Sequence, residues 1–231
     1  MKILGLIPAR GGSKSIPGKN IKLLGGRPLL EYTYDAAKNA KGISRLILSS
    51  DDDNIIAIGK ELGLEVPFKR PKELAEDDTP TLKVIQHALS YFATQEIYFD
   101  AVCLLQVTNP FKTTQFIDEA IAKFKKENCD ALISVSKVPE IYNPHWVFIP
   151  NSNNLLKLAM KEDEIISRRQ DLPVAYHRDG AIYITKSKVI LDKNTLYGNT
   201  LTYIDSPMEC NVNIDTFEDW KKAESMLKKM N

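Results

Sequence analysis

The chain has 231 residues, 43% hydrophobic and 26% charged, which is typical of one ordered globular domain and excludes a disordered or repetitive protein. Its 31 lysines and arginines balance 30 aspartates and glutamates, so there is no basic field to attract nucleic acid or a membrane surface. Apolar runs of about eight residues are too short to span a bilayer, and no signal peptide precedes the first strand pattern, which predicts a cytoplasmic protein.

Four short apolar segments rich in β-branched residues alternate with stretches of helical period. The segments are residues 2–9, 44–50, 100–106 and 130–136. This alternation is typical of βαβ units. We therefore predict an α/β fold of three layers, with a mainly parallel sheet and helices on both faces.

A helix is predicted over residues 113–127. Its apolar residues fall on one face at helical spacing: Phe116, Ile117, Ala120, Ile121 and Phe124. Thr113 or Thr114 is available to cap its start.

A second helix is predicted near the end of the chain. Thr216 and, three residues later, Asp219 form a capping-box pattern. The expected apolar face comprises Phe217, Trp220, Ala223 and Leu227.

Residues 139–178 break the alternation. The stretch is rich in proline and asparagine, which favours turns, and then becomes apolar at LLKLAMK. We predict a single domain over residues 1–231 with this segment inserted as an arm, formed by two strands and a loop. Its role could be that of a lid or of a dimer contact.

The three cysteines, Cys103, Cys129 and Cys210, are far apart in the sequence. Their odd number and the lack of a CxxC spacing do not suit disulfides, a metal site or a redox pair. We predict reduced thiols with a structural role.

The loop IPARGGSKSIPGKN, residues 7–20, contains glycines and cations directly after the first strand segment. It is not a P-loop, because five residues separate Gly12 from Gly18 and Asn20 follows Lys19 where a serine or threonine is required. It is not a dinucleotide fingerprint either, because Pro17 and Gly18 prolong an irregular loop where a helix should begin.

The loop nevertheless has the composition of a polyphosphate site. Gly11 and Gly12 allow the backbone to approach a ligand closely. Arg10, Lys14 and Lys19 supply charge at the carboxyl end of the first strand, where open α/β sheets bind ligands. A solvated basic surface loop is the alternative that composition alone leaves open.

A more specific pattern in this loop, A-R-x-x-S-K-x-x-x-x-K-N, is supplied by Ala9, Arg10, Ser13, Lys14, Lys19 and Asn20. Together with GGRPLLEYT at residues 25–33, it resembles the N-terminal signature of the acylneuraminate cytidylyltransferases, which make CMP-sialic acids and CMP-nonulosonates such as CMP-legionaminate and CMP-pseudaminate. The CMP-Kdo synthetases share the fold but usually carry Ser-Thr-Arg-Leu-Pro-Gly-Lys-Pro, from which Ser13, Lys14 and Asn20 depart.

The resemblance implies a Rossmann-like nucleotidyltransferase fold and a homodimer in which the 139–178 arm is the dimer contact. It implies transfer of CMP from CTP to the anomeric hydroxyl of a nonulosonic acid, with release of pyrophosphate and with Mg²⁺ or Mn²⁺ as the metal. The implied catalytic residues are Arg10, Lys14, Lys19 and Asp215. The implied nucleotide-binding residues are Ala9, Arg10, Gly11, Gly12, Ser13, Asn20, Arg70 and Thr81.

Two segments after the loop extend the resemblance. SSDDDNI at residues 49–55 resembles the family's Ser-Thr/Ser-Asp segment, and KRPKELAEDDTPT at residues 69–81 resembles its Arg-Pro-x-x-Leu-Ala stretch. In the second, the resemblance implies that Arg70 faces the cytosine. From the residues alone, Arg70 before Pro71 is a solvated cation in an extended turn.

Sugar contacts are implied in two further segments. LLQVTNPFK at residues 104–112 resembles Leu-Leu-Gln-Pro-Thr-Ser-Pro-x-Arg, so Gln106 and Thr108 would bind the sugar. Lys112 replaces the arginine and loses its bidentate fork, which predicts a weaker or different anion clamp. In SRRQDLPVAYHRDGAIYIT at residues 167–185, the candidate partners of the sugar carboxylate are Arg169, His177 and Arg178.

The segment NVNIDT at residues 211–216 departs most from the family, whose members typically have Asp-Ile-Asp-Thr. The two acidic positions are expected on one strand, where they share a face because side chains alternate. Here they are Asn213 and Asp215. Both can offer oxygen to Mg²⁺, but the amide brings no charge, so we predict weaker metal affinity with activity retained.

Two other functions remain open at this point. One is a CMP-Kdo or other sugar nucleotidyltransferase, for which a sugar-phosphate acceptor would require an additional basic cluster near residues 167–178. The other is a nucleotide-binding relative without catalysis, which Asn213 and Lys112 suggest.

Overall fold

Strands and α-helices alternate along most of the chain in the computed structural model, which describes residues 1–160, 164–208 and 212–230. In these ranges the strands are β1 (Ile3–Pro8), β2 (Leu23–Leu24), β3 (Arg27–Pro28), β4 (Arg45–Ser49), β5 (Ala101–Leu104), β6 (Ala131–Lys137), β7 (Phe148–Pro150), β8 (Leu156–Leu158), β9 (Tyr176–Lys186) and β10 (Leu201–Asp205). The α-helices are α1 (Leu29–Lys38), α2 (Asp53–Glu61), α3 (Thr81–Ala93), α4 (Thr114–Glu127), α5 (Ser187–Asp192) and α6 (Phe217–Met230). The four predicted strand segments correspond to β1, β4, β5 and β6.

The central sheet has the strand order β10-β6-β9-β5-β1-β4 within the described residues. β1 runs parallel to both neighbours, with Ile7 opposite Leu48 of β4 and Gly5 opposite Cys103 of β5. β9 runs antiparallel to β5. The prediction of a mainly parallel sheet is confirmed, and the carboxyl ends of β1, β4 and β5 meet at one edge.

Successive residues of β1 point to opposite faces of the sheet, and each face has its own hydrophobic core. Ile3 and Ile7 belong to a core that includes residues of α1, α2, α4 and α6. Leu4 and Leu6 belong to a core that includes residues of α3 and α5. Helices therefore cover both faces, which confirms the three-layer arrangement.

The helix predicted over residues 113–127 is α4. Its buried residues are the five predicted from helical spacing: Phe116, Ile117, Ala120, Ile121 and Phe124. Thr113 is the cap, since its hydroxyl accepts a hydrogen bond of 3.1 Å from the Phe116 amide. Thr114 instead donates its hydroxyl to the Ala36 carbonyl at 2.8 Å, which ties α4 to α1.

The predicted C-terminal helix is α6, and the structure corrects its apolar face. Trp220 and Ala223 are buried, but Phe217 is 52% exposed. Phe217 lies only about 60° around the helix from the buried Trp220 at about 100° per residue, so its exposure follows from its place as the first residue of α6. The inward stripe therefore begins one turn later than the sequence pattern indicated.

The capping box of α6 forms as predicted. The Asp219 amide donates to the Thr216 hydroxyl at 3.2 Å, and the Asp219 carboxylate accepts from the Thr216 amide at 2.8 Å. Burial alone would raise the pKa of Asp219, but hydrogen bonds from the Thr216 hydroxyl and from the Thr216 and Asp215 amides lower it below its ordinary value. The ionised carboxylate is thus the form that stabilises the start of α6.

Asp219→Asn is expected to lower the free energy of unfolding by about 1 kcal/mol near pH 7. Because the folded-state pKa is depressed, this contribution is present above the unfolded pKa and is lost as pH falls through the folded value. Urea denaturation of both proteins along a pH series measures it. Glu218→Gln removes a charge from the same turn outside the capping box and serves as the control; an equal loss there, or a difference that persists in acid, would contradict the assignment.

Residues 135–178 form a separate compact unit, which begins within β6 and ends within β9; residues 1–134 and 179–231 form the other. Within the smaller unit β7 and β8 pair antiparallel, with Phe148 opposite Leu158. Large apolar side chains on this unit are more than half exposed, namely Ile141, Tyr142, Ile149, Leu155, Leu156, Ile165 and Val174. The segment predicted as an arm, residues 139–178, lies within this unit.

Cys103 and Cys129 are free thiols in the structure. Cys103 is fully buried in β5, and burial raises the pKa of its thiol to about 12, so it is unreactive. Cys210 lies outside the described residues. In the described part of the chain, no helix has the length and apolar character needed to cross a bilayer.

Candidate active site

A cavity of about 280 Å³ opens beside the carboxyl ends of β1 and β5. Its lining residues include eight of the predicted site residues: Arg10, Ser13, Lys19, Asn20, Arg70, Thr81, Gln106 and Thr108. They come from the loop after β1, the segment before α3, the start of α3 and the turn after β5. The structure therefore brings together residues that are separated by up to 98 positions in the sequence.

The loop after β1 is anchored to the end of β4. The fully buried Ala9 donates its amide to the Ser49 carbonyl at 3.0 Å, so both its side chain and its amide are engaged by the protein. The Gly11 amide donates to the Asp51 carboxylate at 3.1 Å. A Cβ at Gly11 would lie 2.8 Å from the carboxylate of Asp52, so this position requires glycine. Gly12 has open space around the corresponding point.

Asn20 closes the loop on itself. Its side chain is 7% exposed, and its amide nitrogen donates to the Arg10 carbonyl at 2.9 Å. Asn20 lies in a short 3-10 helix, Lys19–Ile21, that begins after Gly18 with φ of 62°. The left-handed backbone explains the glycine, and the Asn20 bond fixes the spacing between Arg10 and Lys19.

Arg70 is a buried residue, so its interpretation as a solvated cation is wrong. It is 4% exposed, and its Nε donates to the Ser49 hydroxyl at 3.0 Å while Nη2 donates to the Ser49 carbonyl. Burial lowers the pKa of the guanidinium to about 10, which leaves it protonated near neutral pH. Arg70 thus lines the cavity with a positive charge that its hydrogen bonds to Ser49, at the end of β4, hold in one orientation.

Lys19 joins the loop to the segment before α6. Its ammonium lies 2.8 Å from the Ile214 carbonyl and 3.3 Å from the Asp215 carboxylate. The amide nitrogen of Asn213 lies 2.5 Å from the other oxygen of Asp215. Val212 and Ile214 are buried whereas Asn213 and Asp215 are exposed, so the two residues share a face as predicted. The prediction that they lie on a strand is wrong, because residues 212–215 are not part of one.

Sequence reasoning missed Asp77, which also lines the cavity. Its carboxylate lies 2.7 Å from Nη2 of Arg10 and pairs with the Lys14 ammonium. The Lys14 hydrogen bond, with Arg10 adding to it and burial opposing it, lowers the pKa of Asp77 below its ordinary value. The acidic run at residues 76–78 was the available signal, but its pairing with a loop more than 60 positions away could not be read from spacing.

Lys112 stabilises the turn after β5 through hydrogen bonds to its backbone carbonyls. It is 4% exposed, and its ammonium donates to the Thr33 hydroxyl at 3.0 Å, the Gln106 carbonyl at 2.8 Å and the Asn109 carbonyl. It does not line the cavity. This arrangement agrees with the expectation of a weaker or different anion clamp at this position, because the three donors of Lys112 are engaged by the protein.

Gln106 faces the turn at the start of the buried part of β9. A Cβ at Gly180, where φ is 85°, would lie 2.9 Å from the side-chain oxygen of Gln106. The preceding residue, Asp179, is buried and accepts hydrogen bonds from the Ser134 hydroxyl at 2.5 Å and the Ala181 amide at 3.0 Å. The Asp179 carboxylate is thereby used to hold the turn.

Comparison with known proteins identifies the fold and the family together. The cytidylyltransferase family matches residues 4–228, nearly the whole chain. The chain belongs to this family. The resemblance that the loop motif predicted is confirmed, and the cavity-lining loop lies at the start of the matched region.

Several relatives of this cytidylyltransferase extend over nearly its whole length. Pseudaminic acid cytidylyltransferase of Campylobacter jejuni is 34% identical over 228 residues, which is 99% of this chain and 97% of the relative. CMP-N,N'-diacetyllegionaminic acid synthase of Legionella pneumophila is 32% identical over 229 residues, 98% and 97% of the two chains. A solved CMP:2-keto-3-deoxy-manno-octonic acid synthetase, complexed with CTP, has a TM-score of 0.74 at 13% identity with full coverage of both chains, and it shows the shared fold.

Three predicted sugar-binding residues of this cytidylyltransferase lie in the unit of residues 135–178. The Arg169 guanidinium pairs with the Glu140 carboxylate beside a small cavity of about 40 Å³. Nδ1 of His177 lies 3.1 Å from the Arg178 carbonyl, and both side chains are exposed. Glu140 is a partner of Arg169 that sequence reasoning missed.

A metal site built from protein side chains alone is not present in the described residues, since no three histidines, cysteines, aspartates or glutamates cluster there. Asp215 offers a carboxylate that is largely exposed. Mg²⁺ commonly takes one or two protein carboxylates and completes its shell with phosphate oxygens and water. The donor set at Asp215 and Asn213 fits an ion of that kind.

Proposed function

We propose that this chain transfers CMP from CTP to the anomeric hydroxyl of a nonulosonic acid of the sialic, legionaminic or pseudaminic type, with release of pyrophosphate. The observation that carries the proposal is the cationic loop after β1, which lines the cavity with Arg10 and Lys19 in a member of the cytidylyltransferase family. Full-length similarity to enzymes named for pseudaminic and legionaminic acid supports this substrate class.

The reaction is a displacement at phosphorus without a covalent enzyme intermediate. The hydroxyl oxygen of the sugar bonds to the α-phosphorus of CTP, the bond from that phosphorus to the bridging oxygen breaks, and the hydroxyl proton is lost. Negative charge grows on the departing pyrophosphate. Arg10, Lys14 and Lys19 are assigned to neutralise that charge. Arg10 and Lys19 line the cavity, where cations already in place stabilise a developing anion, whereas the exposed Lys14 would have to move towards it.

The remaining predicted residues are assigned by position. Ser13, Asn20, Arg70 and Thr81 line the cavity and would contact the nucleotide. Ala9, Gly11 and Gly12 are assigned to shaping the nucleotide-binding loop, because the amides of Ala9 and Gly11 already donate to Ser49 and Asp51. Gln106 and Thr108 lie across the same cavity and would contact the sugar. Arg169, His177 and Arg178 are assigned to the sugar carboxylate, for which guanidinium and imidazole are suitable donors.

Asp215 and Asn213 are the residues proposed to hold Mg²⁺ or Mn²⁺. When bound, such an ion would add positive charge next to the triphosphate. Asp215 is already oriented from two sides, by Lys19 and by the Asn213 amide. Asn213 directs its nitrogen at Asp215, so its oxygen would reach the same point only after the amide rotates.

We also propose that the protein is a homodimer assembled through the unit of residues 135–178. Large apolar side chains more than half exposed on that unit, among them Ile141 and Leu156, support the proposal. Light scattering that returned the mass of a single chain would contradict it.

The decisive assay supplies CTP and Mg²⁺ with one acceptor at a time: sialic, legionaminic, pseudaminic or Kdo. Pyrophosphate release with at least one nonulosonic acid, and less with Kdo, is the expected result. Release with Kdo alone would favour the CMP-Kdo alternative. CTP binding without pyrophosphate release from any acceptor would indicate a nucleotide-binding relative without catalysis.

A further inference from the structure

One carboxylate connects two of the cations that are assigned to the triphosphate. Asp77 places one oxygen 2.7 Å from the Arg10 guanidinium and pairs its other oxygen with the Lys14 ammonium. Asp77 itself lines the cavity, in the connection between the 3-10 helix Lys72–Leu74 and α3. The Asp77 carboxylate is thus paired with the same cationic groups that a phosphate would bind.

The contacts of Asp77 are of a kind that can be exchanged. The side chain of Lys14 is 81% exposed, and those of Arg10 and Asp77 are 33% and 39% exposed. Ion pairs in such exposed positions are weak and sensitive to salt. A phosphate group offers the same cations more charge and more acceptor oxygens than a carboxylate does.

Arg10 has contacts that do not involve Asp77 and that would hold it in position if a phosphate replaced Asp77. Its Nη1 lies 3.4 Å from the Ala75 carbonyl, and its own carbonyl accepts the Asn20 bond. Lys14 has no comparable second anchor in the described contacts. Exchange would therefore require movement mainly of the Asp77 and Lys14 side chains.

We propose that Asp77 is an internal competitor for the polyphosphate. It holds Arg10 and Lys14 while the nucleotide is absent, gives them up to the phosphates on binding, and recaptures them as pyrophosphate leaves. Asp77 thereby sets the affinity for CTP and limits inhibition by pyrophosphate. This inference rests on the proposed function, because it takes CTP and pyrophosphate as the ligands of this loop.

Asp77→Asn tests the proposal by calorimetric titration with CTP and, separately, with inorganic pyrophosphate, in metal-free buffer of low ionic strength. Loss of two exposed ion pairs that compete with the ligand should tighten the binding of each probe about fivefold. The gain should shrink as salt is raised, because screening weakens the pairs. Asp77→Ala repeats the test without an amide that could itself donate to a phosphate.

Asp78→Asn is the matched control. Asp78 is an exposed carboxylate one position along, and in the described residues it is not paired with Arg10 or Lys14. Its variant should change the affinity for either probe less than about twofold if the effect at Asp77 is contact exchange and not general charge.

Weaker binding by both Asp77 variants would overturn the proposal, since it would make Asp77 a residue that positions Arg10 for the phosphates. Equal tightening in Asp78→Asn would also overturn it. If the unaltered protein binds neither CTP nor pyrophosphate, with Mg²⁺ or without it, the proposed function fails together with the competitor role. If the unaltered protein binds both and the Asp77 variants bind them equally well, only the competitor role fails.

Discussion

Lys19→Met is expected to lower kcat/KM for CTP by about 100-fold to 1,000-fold, the cost of removing one fixed donor from a site of charge development. Lys19 lines the cavity with a side chain that is 12% exposed, so its charge acts where solvent screening is reduced. Methionine keeps the apolar stem and removes the ammonium. Pyrophosphate release at several CTP concentrations separates the effects on kcat and KM.

The same substitution has a structural cost that the sequence did not indicate. The ammonium of Lys19 donates to the Ile214 carbonyl at 2.8 Å, so its loss should also lower the free energy of unfolding by about 1 kcal/mol. Urea denaturation measures this term independently. If activity falls much more than the fraction of folded protein does, the loss of activity in Lys19→Met comes from the reaction step and not from unfolding.

Lys22→Met is the matched control for Lys19. Lys22 follows the same 3-10 helix, and its ammonium lies 5.5 Å from the centre of the Trp220 ring, outside the cavity lining. Its variant should keep nearly full turnover. Near-normal turnover in Lys19→Met, or an equal loss in Lys22→Met, would remove Lys19 from the catalytic assignment.

Four strands of the central sheet were predictable because they are largely buried on both faces, whereas β9 and the more exposed β10 were not predicted. β1, β4, β5 and β6 therefore read as short continuous apolar runs, which stand out from the amphipathic helices between them. The face of α4 was predictable for the same reason, since five apolar residues at helical spacing leave one way to pack. The exposure of Phe217 was not predictable, because a residue at the end of an apolar stripe is buried only if the neighbouring elements extend that far.

The candidate site was predictable where one continuous segment carries the pattern. The motif in the loop of residues 7–20 was enough to predict most of the residues of that loop that line the cavity. The roles of Asp77 and Lys112 were not predictable, because each depends on a partner from a distant segment. Asp77 pairs with Arg10, and Lys112 donates to Thr33. Residue type alone gave Lys112 the chemistry of an anion clamp, and only its burial shows that its donors are already engaged.

Asp215→Asn is expected to lower turnover by about 10-fold to 100-fold, the scale at which groups of a metal site commonly contribute. Asp215 is the carboxylate of the exposed face of residues 212–215, and Lys19 lies 3.3 Å from it. Asp192→Asn, at the exposed end of α5, removes the same charge away from the cavity and should have little effect. Comparable losses in both variants would contradict the role of Asp215.

Asn213→Asp should strengthen metal binding and weaken the metal-free protein. The Asn213 amide nitrogen now lies 2.5 Å from an Asp215 oxygen, so a carboxylate in its place would set two like charges together. Such a pair raises the pKa of one member and is unfavourable until a cation lies between the two groups. We therefore expect a lower melting temperature without metal, a larger increase on adding Mg²⁺, and an Mg²⁺ concentration for half-maximal activity about tenfold lower than in the unaltered protein.

Asn213→Ala separates the two effects of that substitution, because it removes the hydrogen bond to Asp215 without adding a charge. Its melting temperature should fall slightly and should gain nothing extra from Mg²⁺, whereas that of Asn213→Asp should recover. Equal Mg²⁺ requirements and equal Mg²⁺-induced shifts in the unaltered protein and Asn213→Asp would show that residue 213 does not face the metal. In that case the amide of Asn213 serves only to orient Asp215.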